Sequence, residues 1–393
     1  MHFHAKAVLL KLLQDSIDFK IKFVDGQNTQ TIGNLKDPKS EFEINVKNSK
    51  FYSDVLLLGN LGLGEAYMEE KFELSHGHIE DFIEALLKCH LDEKLGKDWK
   101  LLFKIAPFRI KGFFRSNKKN VSSHYDIDFD VFKTFLDASL TYSCGYAVQE
   151  SDDIDTLQIN KFNRISKKLE LRDGETLLDI GCGFGGMLIY AAKNFKIKGL
   201  GITNSKNHCE VGNEMIVKQG LQHLIKIELI DFKEISGVFD KVVSVGMLEH
   251  VARSEYSQYF KMISKILNKS GRGLVHFVGA NTYKNDHDYF IQKYVFPMSN
   301  QPKLSEVITE LENNELFILD IENMIRHYGF TARQWLAKFR ENEKELKSFN
   351  GKFKKMFEYY LACCIAASNG SDSALYQILF MKDKSGHIAL SRV

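Results

Sequence analysis

The sequence predicts a doubly wound, Rossmann-like α/β domain preceded by a smaller α+β domain. Three observations carry this. From about residue 121 onward, helical stretches alternate with apolar runs at 176–180, 197–202, 225–230, 240–245 and 273–278, the order of a largely parallel sheet covered on both faces. The run Thr176-Leu-Leu-Asp-Ile180 leads directly into Gly-Cys-Gly-Phe-Gly-Gly186, a strand feeding a glycine-rich turn and a helix. Residues 1–95 have another texture: short alternating segments such as Phe19-Lys-Ile-Lys-Phe23 and Phe42-Glu-Ile-Asn-Val46 read as half-buried strands, separated by Asp25-Gly26 and a polar stretch around 34–40.

The elements follow in chain order. Met1 to Phe19 is an apolar stretch broken by Lys11, with no small-residue cleavage site, and reads as a short amphipathic helix instead of a signal peptide. A helical pattern near 79–92 closes the first domain. Residues 97–119 then interleave eight basic residues with Trp99, Phe103, Phe108, Phe113 and Phe114 against a single acid, Asp98. Two readings fit equally: a surface docking on anionic lipid headgroups, at about 1 kcal/mol per cation, or a solvated linker whose aromatics pack on a neighbouring domain. The expected organisation is thus 1–95, a linker at 96–120, and a catalytic domain at 121–393.

Composition sets bounds on function. The 393 residues leave room for about two domains, and a net charge of +2 does not announce nucleic-acid binding. The abundance of Phe and Tyr, 30 and 15 residues, suggests large apolar surfaces, some of them facing a ligand. Cysteines 89, 144, 182, 209, 363 and 364 form no Cys-x-x-Cys ladder, which fits free thiols in a reducing cytoplasm and gives no expectation of a metal. No run approaches the ~18–20 apolar residues that cross a bilayer.

In doubly wound sheets ligands lie at the carboxyl ends of the strands. The glycines here alternate as Gly-x-Gly-x-Gly-Gly, an acid precedes them, and the next strand ends in Thr203 and Asn204 instead of Asp or Glu. This departs from a dinucleotide fingerprint and resembles the S-adenosylmethionine-binding first motif of Rossmann-like methyltransferases. Asp179 suits the ammonium of the methionine moiety or a cap on the following turn. Asp231 suits the adenine amino group or the N-cap of the helix beginning at Phe232. In Ser244-Val-Gly-Met-Leu-Glu-His-Val251 an acid and an imidazole stand side by side after a strand, although His250 also fits a structural role. His276 ends an apolar strand, as a functional group or as a core histidine satisfied by backbone.

Taken together, Leu61-Gly-Leu-Gly-Glu-Ala-Tyr-Met68, His124-Tyr-Asp126, Leu140-Thr-Tyr-Ser-Cys-Gly-Tyr146, the glycine motif, Gly246-Met-Leu-Glu-His250, Lys293-Tyr-Val-Phe-Pro297 and Met356-Phe-Glu-Tyr-Tyr-Leu361 give the chain a resemblance to the cyclopropane-fatty-acyl-phospholipid synthases over nearly its whole length. The resemblance implies a methyltransferase domain preceded by a lipid-binding domain. It implies methyl transfer from S-adenosylmethionine to cis double bonds of membrane phospholipid acyl chains, through a carbocation deprotonated by bound bicarbonate. Cofactor contacts fall at Tyr142, Ser143, Asp179, Gly181, Gly183, Thr203, Asn204, His208 and Asp231. The bicarbonate site falls at Cys144, Glu249, His276, Tyr328 and the backbone near Val278. Cys144 is then a polar ligand or simply a small buried thiol. Cys364 matches a family cysteine that could be catalytic, but a packed helix position is favoured because a thiolate has no task in this chemistry. Lys161 and Arg164 stand in a segment usually rich in Ala and Gln, His208 replaces a glutamine, and Tyr376 a tryptophan. The implied partners are unsaturated phospholipids at the inner face of a membrane, approached from the cytoplasm by a peripheral protein. A homodimer is left open. The alternatives are a lipid methyltransferase giving a methyl- or methylene-branched chain, and a lipid-binding or lipid-sensing protein without turnover.

Overall fold

The computed structural model describes residues 2–14 (2–4 by backbone only), 16–33, 41–91, 129–281, 288–297, 299–347 and 349–383. The basic–aromatic stretch 97–119 and His124-Tyr-Asp126 lie outside the described residues. The chain forms two compact units: Met1–Thr134 with His287–Pro297 and Leu336–Ser371, and Phe135–Asp286 with Met298–Trp335 and Asp372–Val393.

In the first unit, four strands, β1 (Lys20–Asp25), β2 (Asn28–Ile32), β3 (Glu41–Val46) and β4 (Phe72–His76), form a sheet in the order β2-β1-β3-β4. β1 and β2 are an antiparallel hairpin, whereas β1 and β3 run parallel. The period-two pattern lands as expected, with Ile21, Phe23, Phe42, Ile44 and Val46 buried. The helix Ile79–Lys88 buries Ile79, Phe82 and Ile83, an i, i+3, i+4 stripe, and carries Glu80 and Asp81 in its first turn and Lys88 in its last, matching the helix dipole. It packs against the long helix Gly351–Gly370. Buried charges are closed off. Arg340 donates to both oxygens of Glu80 at 2.8 and 2.9 Å and to Glu358 at 2.8 Å, and Lys71 reaches Asp54 at 2.6 Å.

The second unit holds β5 (Thr176–Ile180), β6 (Lys198–Thr203), β7 (Ile225–Leu229), β8 (Phe239–Val245), β9 (Leu267–Ala280), β10 (Phe317–Asn323) and β11 (Ser373–Met381) in one seven-stranded sheet, in the order β10-β11-β9-β8-β5-β6-β7. β5 to β9 are mutually parallel, as the alternation of helix and strand predicts. At one side β11 adds antiparallel to β9 and β10 antiparallel to β11, and both are absent from the strands read in the sequence. Apolar cores fill both faces, one around Tyr259, Phe260 and Phe277, the other around Leu188, Ile216 and Val243. The chain steps outward from β5 to β6 and β7, then returns to the other side of β5 as β8. That reversal between β5 and β8 is where such sheets open a crevice.

Candidate active site

β5 delivers Asp179, 3% exposed, to the carboxyl end of the sheet, and burial pushes its carboxyl up to about 7 against the pull of Lys161. The turn that follows requires glycine. Gly181 and Gly183 have φ of 74° and 55°, and the N–H groups of Gly181 and Cys182 both donate to Ile202 O at 3.0 Å. A Cβ on Gly181 would lie 2.9 Å from Met247 Cβ, whereas one on Gly183 would meet nothing within 4 Å. The backbone at Gly183 is therefore open to a ligand.

Facing this turn electrostatically is a group the sequence marked only as a departure. The helix Ile154–Leu169 buries Lys161 to 1% exposure, with Nζ 2.8 Å from Ser143 Oγ. Burial drives its amine down to about 8, while Asp137, Cys144 and Asp179 pull the other way. One turn earlier, Gln158 Nε2 donates to Ser143 O at 2.8 Å, and its Oε1 is buried without a hydrogen-bond partner. Gln158 escaped the sequence reading. The only signal for it is that it shares a buried helical face with Leu157, Lys161 and Ile165.

At the end of β6, Thr203 Oγ1 accepts from Ser205 N–H at 3.1 Å. Asp231 caps the short turn Phe232–Glu234 through Lys233 N–H at 2.9 Å, so its capping role is realised, and its other oxygen accepts from Asn204 Nδ2 at 3.4 Å. His208 sits edge-on to Phe184 at 4.5 Å, and burial holds its imidazole below the ordinary value.

The second half of the site is built on β9. Glu249 lies in the turn Leu248–His250 after β8, where Oε1 accepts from Val278 N–H at 2.6 Å. Burial pushes its carboxyl up to about 7, and Oε2 is buried with no partner. His276 lies two residues before Val278, so both side chains point to one face of β9. Its Nε2 is also buried without a partner. Val278, Cys144 and Tyr328 share one apolar cluster with Met324 and Leu375. Burial pushes the Cys144 thiol up to about 12, so it stays neutral. Beside it, Gly145 N–H donates to Thr331 Oγ1 at 2.9 Å. Trp335, which the sequence reading did not single out, joins the ring of Tyr142 at 5.3 Å and that of Tyr328 at 6.2 Å. Cys144, Glu249, His276 and Tyr328 are thus linked through Val278 and its strand. Cys364 is not among them: it is buried in the helix Gly351–Gly370 of the first unit.

A family model described as mycolic acid cyclopropane synthetase matches residues 114–378. The chain belongs to that family. Its members are S-adenosylmethionine-dependent methyltransferases, which sets aside the reading as a lipid-binding protein of another class. A cyclopropane-fatty-acyl-phospholipid synthase of Escherichia coli strain K12 is 32% identical over 356 residues, covering 89% of this chain and 90% of that one. A probable fatty acid methyltransferase of Pseudomonas putida is 30% identical over 376 residues, covering 93% and 92%. The fold agrees with the solved cyclopropane synthase MmaA2 from Mycobacterium tuberculosis, at TM-score 0.63, 24% identity and coverage of 66% of this chain and 96% of that one. The mycolic acid cyclopropane synthase CmaA1 complexed with SAH and CTAB gives TM-score 0.62 at 24% identity, over 67% of this chain and 97% of that one. Residues 7–92 match a separate domain family of unknown function. Family elements also meet inside that first unit: Glu65 accepts from Lys293 Nζ at 2.5 Å and from Tyr294 OH at 3.0 Å.

Proposed function

We propose that the chain converts cis double bonds in phospholipid acyl chains to cyclopropane rings, with S-adenosylmethionine as methyl donor and bicarbonate as base. One observation carries the base site. Glu249 Oε2 and His276 Nε2 are buried, lack partners, and belong to residues joined through β9 to Cys144 and Tyr328. Buried polar atoms are almost always hydrogen-bonded, so unpartnered ones gathered at one place fit a small polar ligand. The cofactor fits the opposite half of the site: the open backbone at Gly183, the buried Asp179, and the Lys161–Ser143 pair. Asp179, Gly181, Gly183, Tyr142 and Ser143 would hold its amino-acid end, and Thr203, Asn204, His208 and Asp231 its nucleoside end.

When bound, S-adenosylmethionine supplies an electrophilic methyl group. An alkene has no proton to remove, so the protein's first task is to hold the double bond in a dry, oriented pocket. Positive charge then grows on the acyl chain. The faces of Tyr142, Tyr328 and Trp335 can stabilise it, a cation–π attraction worth ~2 kcal/mol when desolvated. Bicarbonate, when bound, would supply the base for the proton whose loss closes the ring. Glu249, His276, Tyr328 and the neutral Cys144 thiol would hold that anion. With its carboxyl pushed up to about 7, Glu249 keeps a protonated form near neutrality that can donate to an oxyanion. A protein carboxylate in direct contact with the carbocation would be trapped as an ester, and a small diffusible anion avoids that.

Phospholipid substrates are supported by the name of the Escherichia coli relative. No helix among the described residues is long and apolar enough to cross a membrane. Docking at an inner membrane face through residues 97–119 completes the reading. Reversing the charges of Lys111, Arg115, Lys118 and Lys119 is expected to weaken co-sedimentation with anionic vesicles. The relative named as a fatty acid methyltransferase supports a second reading, in which the chain is left methyl- or methylene-branched. Incubation with cis-unsaturated phospholipid vesicles and methyl-labelled S-adenosylmethionine, followed by gas chromatography–mass spectrometry of the fatty acids, separates the two. A labelled ring supports the proposal. A labelled branch, or no label in the acyl chains, overturns it.

A further inference from the structure

His276 is reached from behind by a chain of buried polar groups. β9 and β11 pair with His276 opposite Gln377, and the two side chains, 2% and 0% exposed, meet with Gln377 Nε2 3.2 Å from His276 Nδ1. Gln377 Oε1 lies 2.9 Å from Lys168 Nζ. Lys168, 3% exposed, also reaches Glu322 at 2.6 Å and Asp320 at 3.3 Å, so its charge is compensated where it sits. Arg164 fixes Glu322 in turn with two bonds, at 2.9 and 2.7 Å.

The directions of these bonds follow from chemistry alone. An ammonium only donates, so the amide atom facing Lys168 is the oxygen. The atom facing His276 is then the NH₂ group, which also only donates. Nδ1 must accept, and the imidazole proton is left on Nε2, the nitrogen that is buried and unpartnered. We propose that Gln377, oriented by Lys168, is a positioning residue that holds His276 as its neutral Nε2–H tautomer, so that the imidazole enters the site as a hydrogen-bond donor to an oxyanion and not as the base. Burial, with Lys161 and Lys168 adding to it, holds the imidazole well below its ordinary range, in keeping with a neutral ring. A second proton would have to sit on Nδ1, against the amide NH₂. Only the identity of the oxyanion rests on the reading above; the tautomer stands on the Lys168–Gln377–His276 geometry.

Nitrogen NMR of the full chain labelled in histidine tests this, with the His276 signals assigned by their loss in His276→Asn. Near neutral pH the expected pattern is a protonated Nε2 and a bare Nδ1. A protonated Nδ1, or both nitrogens protonated, overturns the proposal. Gln377→Glu keeps the size and leaves Lys168 an acceptor, but offers His276 an acceptor too. The proton should move to Nδ1, and kcat should fall ~10²-fold, the scale of losing one preorganised donor. An unchanged nitrogen pattern in that variant overturns the proposal. Adding bicarbonate separates the two claims. A shifted Nε2 signal supports both. A silent response with the Nε2–H pattern intact supports the positioning role and removes bicarbonate as the ligand.

Discussion

Two buried glutamates make an instructive pair. Glu65 in the first unit is 5% exposed and receives an ammonium and a phenol, from Lys293 and Tyr294. Glu249 in the second is 8% exposed, takes a backbone N–H from Val278 on one oxygen, and leaves the other without a partner. The contrast extends to the units that hold them. Among the described residues, five buried side-chain atoms lack a partner, on Gln158, Glu249, His276, Glu310 and Trp335, and all lie in the second unit. Four of those residues surround the candidate site; Glu310 lies apart, on the helix Leu304–Asn313. An unpartnered buried polar atom costs about 1–3 kcal/mol. Buried polar atoms are almost always hydrogen-bonded, so the grouping of four of the five around the candidate site is what supports the proposal that they face a ligand.

The sharpest way to break this contrast is to remove the open groups. Glu249→Gln, His276→Ala and Tyr328→Phe are each expected to lower kcat ~10²–10³-fold while S-adenosylmethionine affinity stays within a few-fold of the parent, because the proposal has them hold an anion and not the cofactor. Steady-state kinetics and calorimetric titration check this, and full turnover by Glu249→Gln would show that the base site is assigned wrongly. The converse substitution belongs to the first unit. Asp54→Ala strips Lys71, 8% exposed, of its partner at 2.6 Å, leaving it Glu69 at 2.7 Å among the described residues. It should cost about 3 kcal/mol of stability in denaturant titration, with kcat per folded molecule unchanged. A loss of kcat with stability intact would erase the distinction drawn here.

A pH series gives the next effect. Burial lifts Glu249 from 4.5 and Asp179 from 3.8, each to about 7. Folded-state values above the unfolded ones mean that the contribution to stability is complete below pH ~4. It is lost as pH rises toward about 7, then stays level, by on the order of 3–4 kcal/mol per group. Chemical denaturation of the ligand-free chain should therefore show stability falling across that window, with a shallower fall in Glu249→Gln. An identical slope in the variant would contradict the assignment. The smallest effect is expected at Cys144. A neutral thiol that serves only as a hydrogen-bonding group is replaced by a hydroxyl in Cys144→Ser, with a loss within about tenfold. A loss as large as that of Glu249→Gln would point to covalent chemistry.

Much of the second unit is legible in the sequence because its signals are local. The five parallel strands announce themselves as apolar runs between helices, and Asp179, Thr203, Glu249 and His276 stand at or near their ends. β11 is hidden for the opposite reason. Its run Ser373–Met381 is buried almost throughout and, apart from Gln377, mainly apolar on both faces, so it has no period to tell strand from helix. β10 mixes Phe317, Ile318, Leu319 and Ile321 with Asp320 and Glu322, and the partners of those acids, Lys168 and Arg164, come from far away in the sequence. Lys161, Lys168, Gln158 and Gln377 look like ordinary helix and strand polar residues, and only long-range contacts bury them. The same holds for the first unit, where Arg340 meets Glu80 across 260 positions of sequence. Motif elements such as Leu61–Met68 and Lys293–Pro297 are visible as strings of letters, but their meeting at Glu65 is not.

The central claim is that Glu249 and His276 are left open for an oxyanion, and carbon NMR with labelled bicarbonate tests it most directly. Parent enzyme prepared in carbonate-depleted buffer should show a bound carbonate signal on titration, with turnover returning in proportion to it, and Glu249→Gln should show neither. Full turnover in carbonate-free buffer with no bound signal at saturating bicarbonate would contradict the account.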